Sequence, residues 1–148
     1  MPSIRIAKPA DIESCARLLG ILFSQEHEFT PDQQKQEAGL DMIISDPSIG
    51  TIFVCEEDGL IVGMISALNL VSTAIGKKVL FLEDMIVDPA WRGKGIGALL
   101  IEHVCRWARE EGYGRATLLT DGDNIPAQHF YEAHGFIRST MVAYRKRL

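Results

Sequence analysis

Residues 81–100 constrain this chain more than any other stretch. An apolar run, broken only by Glu83 and Asp84, predicts a strand that ends at Val87. Asp88 and Pro89 turn the chain, and a bend with glycines at 93, 95 and 97 leads into a helix. Ile96, Leu99, Leu100, Val104 and Trp107 then recur at the spacing of one helical face. The first amides of a helix have no internal partner, and the macrodipole places positive potential there. Glycines at that point let a ligand approach the backbone closely. The corner is therefore built to hold an anion, best a phosphate, and Arg92 and Lys94 add charge-assisted donors to it.

The length of 148 residues suits one domain, 1–148, with a real core. A formal net charge of −5 argues against a general nucleic-acid binder, whose affinity rests on neutralising phosphates. Cys15, Cys55 and Cys105 show neither a CxxC nor a zinc spacing and read as reduced core residues in a cytoplasmic protein. His27, His103, His129 and His134 form no ligand pattern, so no metal site is expected. No run approaches the roughly 18 to 20 apolar residues that a bilayer span requires, so no membrane partner is expected either.

Along the chain, residues 3–7 alternate as a first strand, and a helix carrying Ile12, Cys15, Ala16, Leu19, Leu22 and Phe23 on its buried face follows Pro9. A more polar helix runs from about 32 to 45, closed by Asp46-Pro47. Strands over 51–56 and 60–71 flank an Asp58-Gly59 turn and form a hairpin. The strand over 79–87 and the helix over 95–111 come next, then a buried strand over 116–120. Asn124 is placed to cap a helix with Pro126 in its first turn, stopping at Gly135. Residues 136–148 should add two short strands or one bent one. The order β-α-α-β-β-β-α-β-α-β-β describes an α/β domain whose mixed sheet carries helices on both faces.

A glycine-rich turn between strand and helix has several possible occupants. No segment supplies the P-loop spacing. Residues 93–98 satisfy GxGxxA literally, but five residues separate the first glycine from its strand, and only about 50 remain after Ala98, too few for a dinucleotide fold. The third reading takes Arg92-x-x-Gly95-x-Gly97 as a pyrophosphate loop, with Asn124, Ala127, Phe130-Tyr131 and Gly135-Phe136 about 30 residues further on. In these two motifs and in its element order, nearly the whole chain resembles the GNAT superfamily of acyl-CoA-dependent N-acyltransferases.

The resemblance implies a splayed sheet and acetyl-CoA as cosubstrate. Its pyrophosphate would lie on the amides of Arg92, Gly93, Lys94, Gly95, Ile96, Gly97 and Ala98, and its pantetheine arm against Met85, Ile86 and Val87, with Asn124 and Ala127 alongside. Tyr131 matches the family's general acid, and Glu83 matches the base of members that acetylate small amines. Asp84 would then orient the cationic acceptor. Burying two carboxylates without a use is costly, which independently singles out this pair; adjacent strand residues face opposite sides unless a bulge intervenes. The loop over 23–29, with Glu26 and Glu28, would border the acceptor. The expected activity is direct transfer of an acetyl group to a primary amine in a ternary complex, with a small cationic amine favoured. A CoA-binding regulatory module without turnover, or acetylation of a protein lysine or N-terminus, are the competing readings. Homodimers are common among proteins of this kind.

Overall fold

Largely apolar extended segments, whose successive side chains point to opposite faces and are buried on both, form four mutually antiparallel neighbouring strands. In the computed structural model, which describes residues 1–26 and 28–148, these are β1 (Ser3–Ile6), β2 (Gly50–Glu57), β3 (Leu60–Ser72) and β4 (Lys77–Val87). A fifth strand, β5 (Ala116–Leu118), lies parallel to β4, giving the order β1-β2-β3-β4-β5. Four helices complete the fold: α1 (Ile12–Gln25), α2 (Gln33–Ile44), α3 (Ile96–Glu110) and α4 (Ile125–Ala133).

The sheet separates two apolar layers. On one face Val54, Met64 and Ile86 pack against Cys15, Leu18 and Leu19 of α1 and Leu40 of α2. On the other, Phe53, Val62, Ile65, Leu80 and Leu82 meet Ile96, Leu100, Ile101 and Val104 of α3, with Phe130 and Tyr131 of α4 at the margin. Fully burying each such side chain contributes about 1.5–3 kcal/mol. Local chemistry fixes the helix ends. Asp32 accepts from the Lys35 amide at 3.2 Å, while Gln36 accepts from the Asp32 amide at 2.7 Å and donates to the Ala16 carbonyl at 2.8 Å, tying α2 to α1. Among the described residues, no helix is long and apolar enough to cross a membrane.

Two expectations are corrected. The strand expected over 116–120 ends at Leu118, because β4 draws away beyond Leu82 and offers Leu119 and Thr120 nothing to pair with. Residues 136–148 form no strand, so the terminal β-β of the expected order is absent among the described residues. The pattern there is strand-like, but a strand exists only where a neighbour accepts its ladder, and none stands beside it among the described residues.

Candidate active site

The corner at the start of α3 is shaped by two residues whose backbone requires glycine. Gly93 and Gly95 have φ of +78° and +80°, and a Cβ at either would meet nothing within 4 Å, so it is conformation that excludes larger residues there, not crowding. Gly95 precedes α3 in the left-handed region, and no side chain caps the helix. The Arg92 amide turns back to the Pro89 carbonyl at 3.4 Å, so that residue serves the corner through its side chain. The next protein-bonded amide is that of Leu99, to the Gly95 carbonyl at 3.1 Å; among the described residues, the amides of 93–98 have no protein acceptor. All of these residues except Lys94 border a hollow of about 220 Å³ bounded also by Val87, Trp91 and Phe130. Arg92 is held against the strand, its Nε donating to the Val87 carbonyl at 3.1 Å. The Lys94 ammonium sits 4.6 Å from the centroid of the Trp91 ring. Trp91 and Phe130 are not evident in the sequence as walls of this hollow: Trp91 belongs to no motif there, and Phe130 stands only beside Tyr131 in the second one.

Beside the corner the sheet opens. β4 pairs with β5 only at Leu80, Phe81 and Leu82; from Glu83 to Val87 that edge of β4 has no strand next to it. The backbone of Met85, Ile86 and Val87 is therefore an unpaired strand edge, the wedge of the sheet, which reaches the hollow at 93–98 through Val87. Tyr131 reaches it from α4, with its hydroxyl donating to the Met85 sulfur at 3.8 Å, and burial pushes the phenol's pKa up. Asn124 caps α4, accepting from the Ala127 amide at 3.2 Å, as its residue type alone suggests.

A β-bulge brings the two carboxylates together. Ser66 of β3 pairs with Glu83 and Met64 with Ile86, so Ile65 faces both Asp84 and Met85. Asp84 adopts φ of +54°, in a region that non-glycine residues rarely occupy, and such strain persists only where surrounding structure imposes it. The bulge breaks the alternation that would separate neighbours. Asp84 turns to the α1–α2 side, where it lines a cavity of about 430 Å³ with Phe23, Glu28, Phe29, Gln36 and Arg147. Glu83 is exposed. Burial, then the Glu83 and Glu26 carboxylates, push the Asp84 carboxyl up to about 7. Burial, followed by the charge of Asp121, also raises Glu26. The Ser66 hydroxyl, 1% exposed and opposite Glu83, has no partner among the described residues. Glu28 is engaged by Arg145. His27, in the same loop, lies outside the described residues.

The cysteines are poor nucleophiles. Burial raises all three thiols, Cys15 to about 12. Among the described residues, no group of three His, Cys, Asp or Glu side chains is placed to hold a metal ion.

Comparison with known proteins agrees with this geometry. The chain is 29% identical over 147 residues to an aminoglycoside N(6')-acetyltransferase type 1 of Stenotrophomonas maltophilia, covering 97% of this chain and 91% of that protein. It is 31% identical over 135 residues to a glucosamine 6-phosphate N-acetyltransferase of Trypanosoma brucei brucei, covering 90% and 87%. Against two mammalian relatives, a mouse probable N-acetyltransferase family 8 member 5 and a rat N-acetyltransferase family 8 member 2, the match spans only 40% and 45% of those proteins. A possible acetyltransferase from Clostridium difficile 630 superposes with a TM-score of 0.90 over 100% of this chain and 98% of that one; at 20% identity this speaks for the fold alone. The family model described as "Acetyltransferase (GNAT) family" matches residues 13–136. That span holds the glycine corner, the wedge beside β4, the bulged carboxylates and Tyr131, and this chain belongs to the GNAT family of acetyl-CoA-dependent acetyltransferases.

Proposed function

We propose that this protein transfers the acetyl group of acetyl-CoA to a primary amine on a small cationic molecule, by direct attack with both substrates bound. The observation that carries the reading is the row of uncovered amides at 93–98, set beside the wedge that begins where β4 leaves β5. The diphosphate is held by those amides together with Arg92 and Lys94, and the pantetheine arm runs along Met85, Ile86 and Val87, with Asn124 and Ala127 at the facing helix. Acetyl-CoA supplies the acetyl group as an activated thioester. A backbone N–H at the end of β4 offers a donor where charge develops on the carbonyl oxygen, a contribution worth roughly 3–4 kcal/mol.

The amine must lose a proton, and its free pKa is near 10. A base works best with a pKa near the working pH, and the raised carboxyl of Asp84 meets that condition. In this reading Asp84 takes the proton, and Glu83, exposed at the mouth, draws in the ammonium group; this exchanges the roles the sequence suggested. Tyr131, kept protonated by burial, gives a proton to the departing thiolate. A covalent route through cysteine has no support from thiols whose pKa values are all raised.

Two relatives favour an amino-sugar-like acceptor: one is named for aminoglycosides and the other for glucosamine 6-phosphate. The carboxylates of Glu26, Glu83 and Asp84 suit a cation better than a phosphorylated sugar, Glu28 being already paired with Arg145. The test is thiol release from acetyl-CoA across a panel of aminoglycosides, polyamines, amino sugars and lysine peptides. Turnover confined to peptides, or thermal stabilisation by NAD but not by CoA, would refute the assignment.

A further inference from the structure

The cavity beside Asp84 is not lined by acids alone. Beyond an exposed stretch that includes Met141, Val142 and Tyr144, residues 145–147 come back to its rim. Arg145 pairs with Glu28, and its guanidinium lies 5.7 Å from the centroid of the Phe29 ring. That ring in turn packs 5.6 Å from Phe23, and Glu28, Phe29 and Phe23 all line the cavity. Arg147 lines it as well, and among the described residues it has no ion-pair or hydrogen-bond partner.

Charge is therefore divided across the cavity. The sheet side carries Asp84, with Glu83 on the neighbouring position of the bulge. Ser66 shares that face: it pairs with Ile52, whose side chain packs towards α1 and α2, and with Glu83. Its buried hydroxyl has no partner among the described residues and is free to accept from a donor that enters there. The helix side offers an incoming cation much less. Glu28 is already taken by Arg145, Asp32 caps α2, and Lys35 and Arg147 add positive charge. One ammonium group is thus received at Asp84, whereas a second on the same molecule meets a filled carboxylate and facing cations. A site discriminates by such repulsion as much as by attraction.

We propose that Arg145 and Arg147 set acceptor specificity, restricting the cavity beside Asp84 to primary amines that carry a single ammonium group and turning away diamines and polyamines. This rests on the reading of that cavity as the acceptor site and narrows it. The test is acetyl transfer by the full chain to two matched pairs, putrescine against n-butylamine and cadaverine against n-pentylamine. Each is repeated with Arg145→Gln and Arg147→Gln combined, and calorimetry on the CoA-bound chain gives the same comparison without turnover. The double variant should lower the ratio of diamine to monoamine KM by about 5-fold, the size of one exposed charge pair. Adding Glu28→Gln to that background should cancel most of the gain, because the vacated carboxylate is what the second ammonium uses. A ratio that does not move overturns the proposal. So do KM values that fall equally for both members of a pair, since the arginines then only cover the cavity, and so does a gain that persists without Glu28. Failure of both diamines to bind the double variant overturns it too. Transfer to some other small amine would then leave the acceptor reading standing, whereas transfer to none would overturn both.

Discussion

The Tyr131 hydroxyl donates to the Met85 sulfur at 3.8 Å, joining α4 to the first unpaired residues of β4 across the mouth of the wedge. A thioether is a weak acceptor, so the phenol is easily released to a better one, such as a departing thiolate. Tyr131→Phe keeps the ring contacts with Phe130 and Phe136 and removes only the proton. We expect kcat to fall about 100-fold or more, with CoA affinity and melting temperature nearly unchanged. Steady-state thiol release, with CoA binding by calorimetry, checks both.

In the proposed reaction Asp84, as the base, gives the activity its acid limb. Its carboxyl holds a proton up to about 7 in the folded chain, whereas an unfolded aspartate releases it near 3.9. The folded state therefore binds more protons across that window, and stability falls as pH rises from about 4 to 7, then levels. Asp84→Asn should add on the order of 2–4 kcal/mol above pH 7 and nothing below pH 4, by denaturant melts. The same variant should abolish the rise of kcat/KM centred near pH 7. Glu83→Gln should instead raise the KM for the amine more than it lowers kcat.

Much of the corner is legible in the residues themselves, and the reasons are local. Glycine spacing, a capping Asn124 and the helical face from Ile96 to Trp107 are each encoded within a few neighbouring residues, so the bend at 93–98 and α3 can be read directly. The bulge cannot. It depends on how β3 and β4 register over several residues, and nothing in Glu83-Asp84 itself announces that Asp84 turns inward. The last thirteen residues mislead for the opposite reason. Their local pattern is that of a strand, but pairing is decided by what lies beside it, and among the described residues no strand does.

Gly95 tests the phosphate corner. A Cβ there meets nothing within 4 Å, so Gly95→Ala carries only the backbone penalty at φ of +80°, about 1–2 kcal/mol. The bend relaxes by tilting the amides of 96–98 away from the position of the diphosphate. We expect the KM for acetyl-CoA to rise about 10-fold, equivalent to 1.4 kcal/mol, with the KM for the amine unchanged. An equal rise in both would place the phosphates elsewhere.

Asp11 provides a contrast, a carboxylate that serves the fold alone. It is 7% exposed and accepts from Arg5 Nη1 at 2.7 Å, Arg5 Nη2 at 3.0 Å and the Lys8 amide at 2.8 Å, while Arg5 also reaches Glu56 at 2.8 Å. Three elements, β1, β2 and the start of α1, are joined at that one guanidinium. Asp11→Ala leaves it with Glu56 as its one carboxylate partner, and we expect a loss of about 2–3 kcal/mol, discounted from a fully buried pair because Arg5 remains partly exposed. The hydrogen bond from Arg5 holds the Asp11 carboxyl below the usual carboxylate range. Its stabilisation is therefore present above about pH 4 and lost as pH falls through the lowered value, the reverse of Asp84. Acid melts of wild type and Asp11→Asn should converge at low pH and separate above it. At 25 °C kcat/KM should stay at the wild-type level, because Asp11 lines neither the hollow at 93–98 nor the cavity at Asp84.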